Sequence, residues 1–182
     1  KYTFEKSIKE DVMFKQQRKN VMTDDYKTWR SLTFSMKPGN VEFTSQEPKQ
    51  VYGAVMDICM ADINSNSAFW LTTTAFANGE ATFSPSPGGR IMGLGTDPRV
   101  AEVAKSIVAM SQIFMAKAQP VDANVLPTVG RVAFRFITTS GIFGMEDDLK
   151  VYQSGPYNQL LMKFGQIRGV AERVIDQRMQ KK

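Results

Sequence analysis

Between Val51 and Met60 the chain reads VYGAVMDICM, apolar at nearly every position, with a period of two. On a strand, Tyr52, Ala54, Met56, Ile58 and Met60 point one way, and Val51, Gly53, Val55, Asp57 and Cys59 the other. A strand apolar on both faces belongs in the middle of a sheet covered on both sides. A hairpin follows over Ala68–Ser84, turning at Asn78-Gly79. That pair is a strong turn signal, because a type I′ turn needs positive φ at both central residues. A two-residue turn there sets Phe76 opposite Ala81 and Thr74 opposite Phe83. Trp70, Thr72, Thr74, Phe76 and Phe83 would then share one face.

The period next changes to 3.6. Asp97 is a natural N-cap and Pro98 stands at the first helical position, where its missing N–H costs nothing. Val100, Val103, Ala104, Ile107, Val108, Ser111, Phe114 and Met115 then form one helical face. Val129–Thr138 reads as a strand, and Thr139-Ser140-Gly141 turns it back into Ile142–Met145. From near Pro156, the stripe Leu160, Leu161, Phe164, Ile167, Ala171, Val174, Ile175 predicts a long amphipathic helix. Upstream, Thr23-Asp24-Asp25 caps a helix from Tyr26 to about Met36, with a hairpin of SLTFSM and VEFTS around Pro38-Gly39-Asn40 as the alternative. Residues 1–22 read as an N-terminal arm in which Phe4, Ile8 and Val12 form a sparse stripe that needs a surface to dock on. The expected fold is therefore α+β: an antiparallel sheet built from hairpins, two long helices packed on it and a helical arm, with residues 23–182 as a single domain. If both long helices cover one face, the other is left for the arm or a second molecule.

Charge adds one refinement. The net charge of +5 is uneven: residues 1–50 carry ten basic and seven acidic side chains, 155–182 six and two, and 51–154 seven and nine. Basic ends flank a slightly acidic middle, which admits contact with nucleic acid or an anionic membrane but shows no dense basic cluster. There is one cysteine and no apolar run long enough to span a bilayer, so a cytoplasmic protein is expected. A removed targeting segment would leave no trace.

Candidate chemistry is sparse. With no histidine and a single thiol, triads, imidazole zinc sites and cysteine clusters are excluded within these residues. Asp57 interrupts an apolar strand and could be a buried acid or a backbone-bonded structural carboxylate. Glu146-Asp147-Asp148 reads as a solvated turn without the ligand alternation of a calcium loop. GGRIMGLGTDP (88–98) could cradle an anion with Arg90, but it matches no phosphate-binding fingerprint and Asp97 already occupies the helix start. No metal and no cofactor are expected.

At VYGAVMD, FWLTTTAFANGEATF, PGGRIMGLG and RVAFRFITTSGIF the chain resembles a group of small bacterial proteins of unknown function. Those share a VYG-x-x-MD strand, an aromatic hairpin, a Gly-rich stretch before a helix and an RVxF…GI hairpin. The resemblance covers about residues 50–175. It implies a bacterial source and a domain complete from about residue 50, with no activity to carry over.

Three readings of function follow. The first is a non-catalytic interaction or regulatory module, self-associating or docking a protein partner through the arm (Phe4, Ile8, Val12) and an apolar sheet face (Trp70, Phe76, Phe83). The second is a small-ligand binder or histidine-free enzyme with Asp57, Arg90 and Arg135 around a pocket. The third is binding of nucleic acid or anionic membrane through the basic ends.

Overall fold

In the computed structural model, which describes residues 19–45 and 47–180, the doubly apolar run is the long central strand of one sheet. The elements in order are β1 (Lys19–Asn20), α1 (Asp24–Phe34), a 3-10 turn (Pro38–Val41), β2 (Val51–Asp62), β3 (Ser67–Phe76), β4 (Ala81–Pro85) and α2 (Pro98–Phe114). Then come β5 (Gln119–Pro120), β6 (Arg131–Thr138), β7 (Gly141–Asp148), α3 (Leu149–Ser154) and α4 (Asn158–Met179). The strands order as β1–β3–β2–β6–β7–β5, with β4 beside β1 on the outer edge of β3.

The α+β class is as expected, but the sheet is mixed. β1 runs parallel to β3, while every other pair is antiparallel. β4 pairs with β3 only from Leu71 onward, so the first backbone groups of β3 need another partner. Lys19 and Val21 supply it through N–H bonds to the Asn66 and Ala68 carbonyls. Lys19, Asn20 and Val21 thus pair with the sheet, and Phe4, Ile8 and Val12 lie outside the described residues.

Capping reads through directly. The Thr23 hydroxyl accepts from the Tyr26 N–H at the start of α1, and Asp97 accepts from the Arg99 N–H at the start of α2. The segment around Pro38 is the 3-10 turn, not a hairpin. The final helical region is two helices, because Gly155 and Pro156 separate α3 from α4.

α2 and α4 cover one face, where Met56, Ile58, Phe83, Val132, Phe134 and Phe136 meet Ile107, Leu160 and Phe164. Phe134 lies 5.0 Å from the Tyr152 ring and 5.9 Å from Phe164, centroid to centroid. Burial of each such side chain contributes about 1.5–3 kcal/mol, before the entropy cost of ordering it.

The other face is covered as well, which corrects the expectation of an open apolar surface. α1 lays Tyr26 and Trp29 over Cys59, Ala68 and Trp70, and Val41 of the 3-10 turn packs with Tyr52, Val55, Phe76 and Ile137. Trp70, Phe76 and Phe83 are buried within the chain and offer no docking surface.

Two local irregularities redirect side chains. The pairing of β2 with β6 shifts between Val51 and Gly53, so Tyr52 is an extra residue. Val51 therefore joins the α2/α4 core, and Tyr52 turns to the α1 side, where its hydroxyl donates to the Met36 carbonyl. The β3–β4 turn is three residues long, not two. Gly79 N–H bonds to the Phe76 carbonyl, Phe76 N–H bonds to the Glu80 carbonyl, and Gly79 has φ +94°. Phe83 then pairs with Thr73, which moves it to the face opposite Trp70, Thr72, Thr74 and Phe76. A slip of one residue reverses every side chain on a strand.

The glycine-rich connection serves this turn. A Cβ on Gly95 would strike the Gly79 carbonyl, so the hairpin tip packs directly on the backbone that leads into α2. Among the described residues no helix is long and apolar enough to cross a membrane.

Candidate functional site

The chain's most buried charges lie between α1 and the sheet. On α1 the buried positions Tyr26, Trp29, Arg30 and Thr33 follow helical spacing, so an arginine is part of the inward stripe. Its guanidinium forks onto Asp57 of β2, with Nη1 donating to Oδ1 at 2.6 Å and Nη2 to Oδ2 at 2.8 Å. Thr72, directly across the ladder from Asp57, donates its hydroxyl to Oδ1 at 2.7 Å. That uses the only Thr72 proton, so the Tyr26 hydroxyl, 2.6 Å from Thr72 Oγ1, is the donor in that bond. Arg30 Nη2 also donates to the Ala123 carbonyl, and the guanidinium lies 4.9 Å from the Phe34 ring centre.

Electrostatics follow from this geometry. Burial, and then the Asp57 charge, push the Tyr26 phenol up to about 12. Burial works against the Arg30 charge, yet the Asp57 carboxylate outweighs it and raises the guanidinium above its ordinary value. Asp57 is fully buried, ion-paired and hydrogen-bonded. Held by Arg30 and Thr72 beneath α1, the carboxylate faces neither of the two larger cavities.

Arg135 is also buried, on β6 of the same face. It lies across β7 at Gly144, where a Cβ would come within 2.8 Å of Arg135 Cδ. Its Nη2 donates to the Val125 carbonyl at 3.2 Å and stands 3.6 Å from Glu146. Glu146 also pairs with Arg131 at 2.9 Å. The acidic trio is accordingly a strand end holding two arginines, not a solvated turn, and no metal-binding cluster of three such side chains occurs among the described residues. Arg90 pairs with Asp25 at the start of α1 and sits 5.7 Å from the Trp29 ring centre.

Asp57, Arg90 and Arg135 are thus held by three separate sets of partners, and none of them lines either of the larger cavities. Arg30 is the residue that sequence reasoning missed. Its place between Tyr26 and Thr33 on the inward stripe was the available signal.

The open space is on the opposite face. A half-open cavity of about 750 Å³ is lined by Met56, Ile58 and Met60 of β2, the first turns of α2, Leu149 and Gln153 of α3, and one side of α4 between Leu161 and Arg173. Val100, Val103, Leu161, Ile167 and Val170 give it apolar walls. Gly165 and Gly169 also line it, and a Cβ at Gly165 would meet nothing within 4 Å. Its polar members cluster at the rim. Asp97 is paired with Arg99 at 2.7 Å; the Arg99 side chain and then its backbone N–H hold the carboxyl down at about 2. Arg168 pairs with Glu172 at 2.6 Å. Arg173 has no such partner among the described residues. A second hollow of about 530 Å³, between the end of α1 and residues 121–124, is lined mostly by turn and loop residues.

No protein-family model, curated protein or solved structure matches this chain.

Proposed function

We propose that the chain is a non-catalytic binding module that takes an apolar-bodied small molecule into the cavity between α2, α4 and the end of β2. The observation that carries this reading is the combination of volume and lining. About 750 Å³ bounded mainly by methionine, leucine, isoleucine and valine falls in the range of small-molecule sites. Glycine inside a helix costs roughly 1 kcal/mol relative to alanine. Both Gly165 and Gly169 bear that cost where no packed neighbour demands it, since Gly169 would meet only an Arg173 nitrogen at 3.9 Å. A ligand lying against the α4 backbone accounts for both. Support for a non-catalytic role comes from the lack of histidine and the full engagement of Asp57.

Methionine supplies the test. Met56, Met60 and Met162 line the cavity, whereas Met22 and Met36 belong to the opposite face. With the methionine methyls labelled, titration of the chain with decanol is expected to shift the first three resonances and leave the other two in place. Gly165→Leu, which extends a side chain into the space, should abolish those shifts in a folded protein. Shifts spread evenly over all five methyls, or none, would remove the reading.

A further inference from the structure

The charge balance of the rim specifies more than an apolar body. Four charged residues line the cavity: Asp97, Arg99, Arg168 and Arg173. Asp97 neutralises Arg99, and Glu172 beside the rim neutralises Arg168. Among the described residues Arg173 is the one lining arginine without an ion-pair partner. Arg173 lines the cavity, and its Nη1 reaches back to 3.9 Å from the Cβ position of Gly169. The arginine thus lies back along α4 beside Gly169. From Leu161 to Arg173 a helix rises about 18 Å, so the cavity wall along α4 is elongated, apolar through Leu161, Ile167 and Val170, and ends at the Arg173 cation.

We infer that the ligand is a free single-chain carboxylate amphiphile, with its alkyl chain along Leu161, Met60 and Val103 and its carboxylate on Arg173. The inference rests on the cavity being the ligand site. A planar guanidinium matches a carboxylate through two parallel N–H bonds, which a neutral head group cannot reproduce. One spare charge and one elongated space fit one chain and one anionic head, in preference to a two-chain membrane lipid.

The test compares decanoate, decanol and decyltrimethylammonium as monomers, read on the labelled Met56, Met60 and Met162 methyls, for the natural chain and Arg173→Gln. Arg173 is exposed, so the exchange should leave thermal unfolding unchanged. Decanoate is expected to bind, to weaken roughly fivefold in Arg173→Gln, and to weaken with added salt, while decanol is indifferent to the variant. If decanol and decanoate both bind and Arg173→Gln alters neither, the carboxylate inference falls and the apolar site stands. Tightest binding by decyltrimethylammonium would also overturn it, as would co-sedimentation of the chain with phosphatidylglycerol vesicles in place of decanoate binding. Failure of all three probes to move the three methyls would instead overturn the cavity reading itself.

Discussion

The two faces of the sheet are built to opposite rules. Under α1 the layer contains a buried ion pair, a hydroxyl relay and a second buried arginine; oxygens accept from the terminal nitrogens of both guanidinium groups, while Nε of Arg30 and of Arg135 is buried without a hydrogen-bond partner among the described residues. Under α2 and α4 the layer is almost wholly apolar, yet it contains the larger cavity. The contrast separates charge from function. Asp57 and Arg90, which stand out in the sequence, hold α1 to the sheet, and the cavity of about 750 Å³ lies where the sequence offers mostly ordinary core residues. A buried charge requires a close partner, because an unpaired charge in the interior is far more costly than a void.

The largest test of the contrast is Asp57→Ala. It strands the Arg30 guanidinium in the interior and is expected to cost about 3–5 kcal/mol in urea unfolding. Replacing both partners by apolar residues, Arg30→Met with Asp57→Leu, should recover most of that loss. A double-mutant cycle with no coupling would show that the pair is not the α1 anchor.

Next in size is an alkaline effect. The Tyr26 phenol is held up at about 12 in the folded chain, above its ordinary value of 10. Its neutral form is favoured by the fold, so this contribution is fully present below pH 10 and is lost as pH rises from 10 to 12. A two-unit shift corresponds to about 2–3 kcal/mol. Stability measured across that window should fall less steeply in Tyr26→Phe; identical slopes would detach Tyr26 from the network.

The smallest effect has the opposite sign. Gly165→Ala removes a helix-interior glycine whose Cβ meets open space, and should stabilise the chain by about 0.5–1 kcal/mol, raising the melting temperature by about 1–4 °C. A loss of stability would mean that α4 needs this glycine for its own packing, and the functional account of the cavity would weaken.

Local signals were legible because they act over a few residues. Thr23 and Asp97 cap the helices they precede, the 3.6 period marks α2 and α4, and the two-residue period marks β2 as central. Phe83 shows where such signals stop. Its face depends on whether the turn holds two residues or three, and Asn78-Gly79 is compatible with both. Tyr52 shows the same for a bulge, which a regular alternation conceals.

The sequence by itself determined the central strand, the long helices and their caps, that histidine and cysteine-cluster chemistry are absent from these residues, and that Asp57 is an anomaly in a core strand. Only the tertiary structure decided that Asp57 meets Arg30, 27 positions earlier, and that the second face is closed by α1. It also decided that the cavity lies among α2, α3, α4 and β2. The reason is physical: propensity, capping and period are set by near neighbours, whereas ion pairing and unfilled volume depend on how distant segments fit together, and no single segment carries that information.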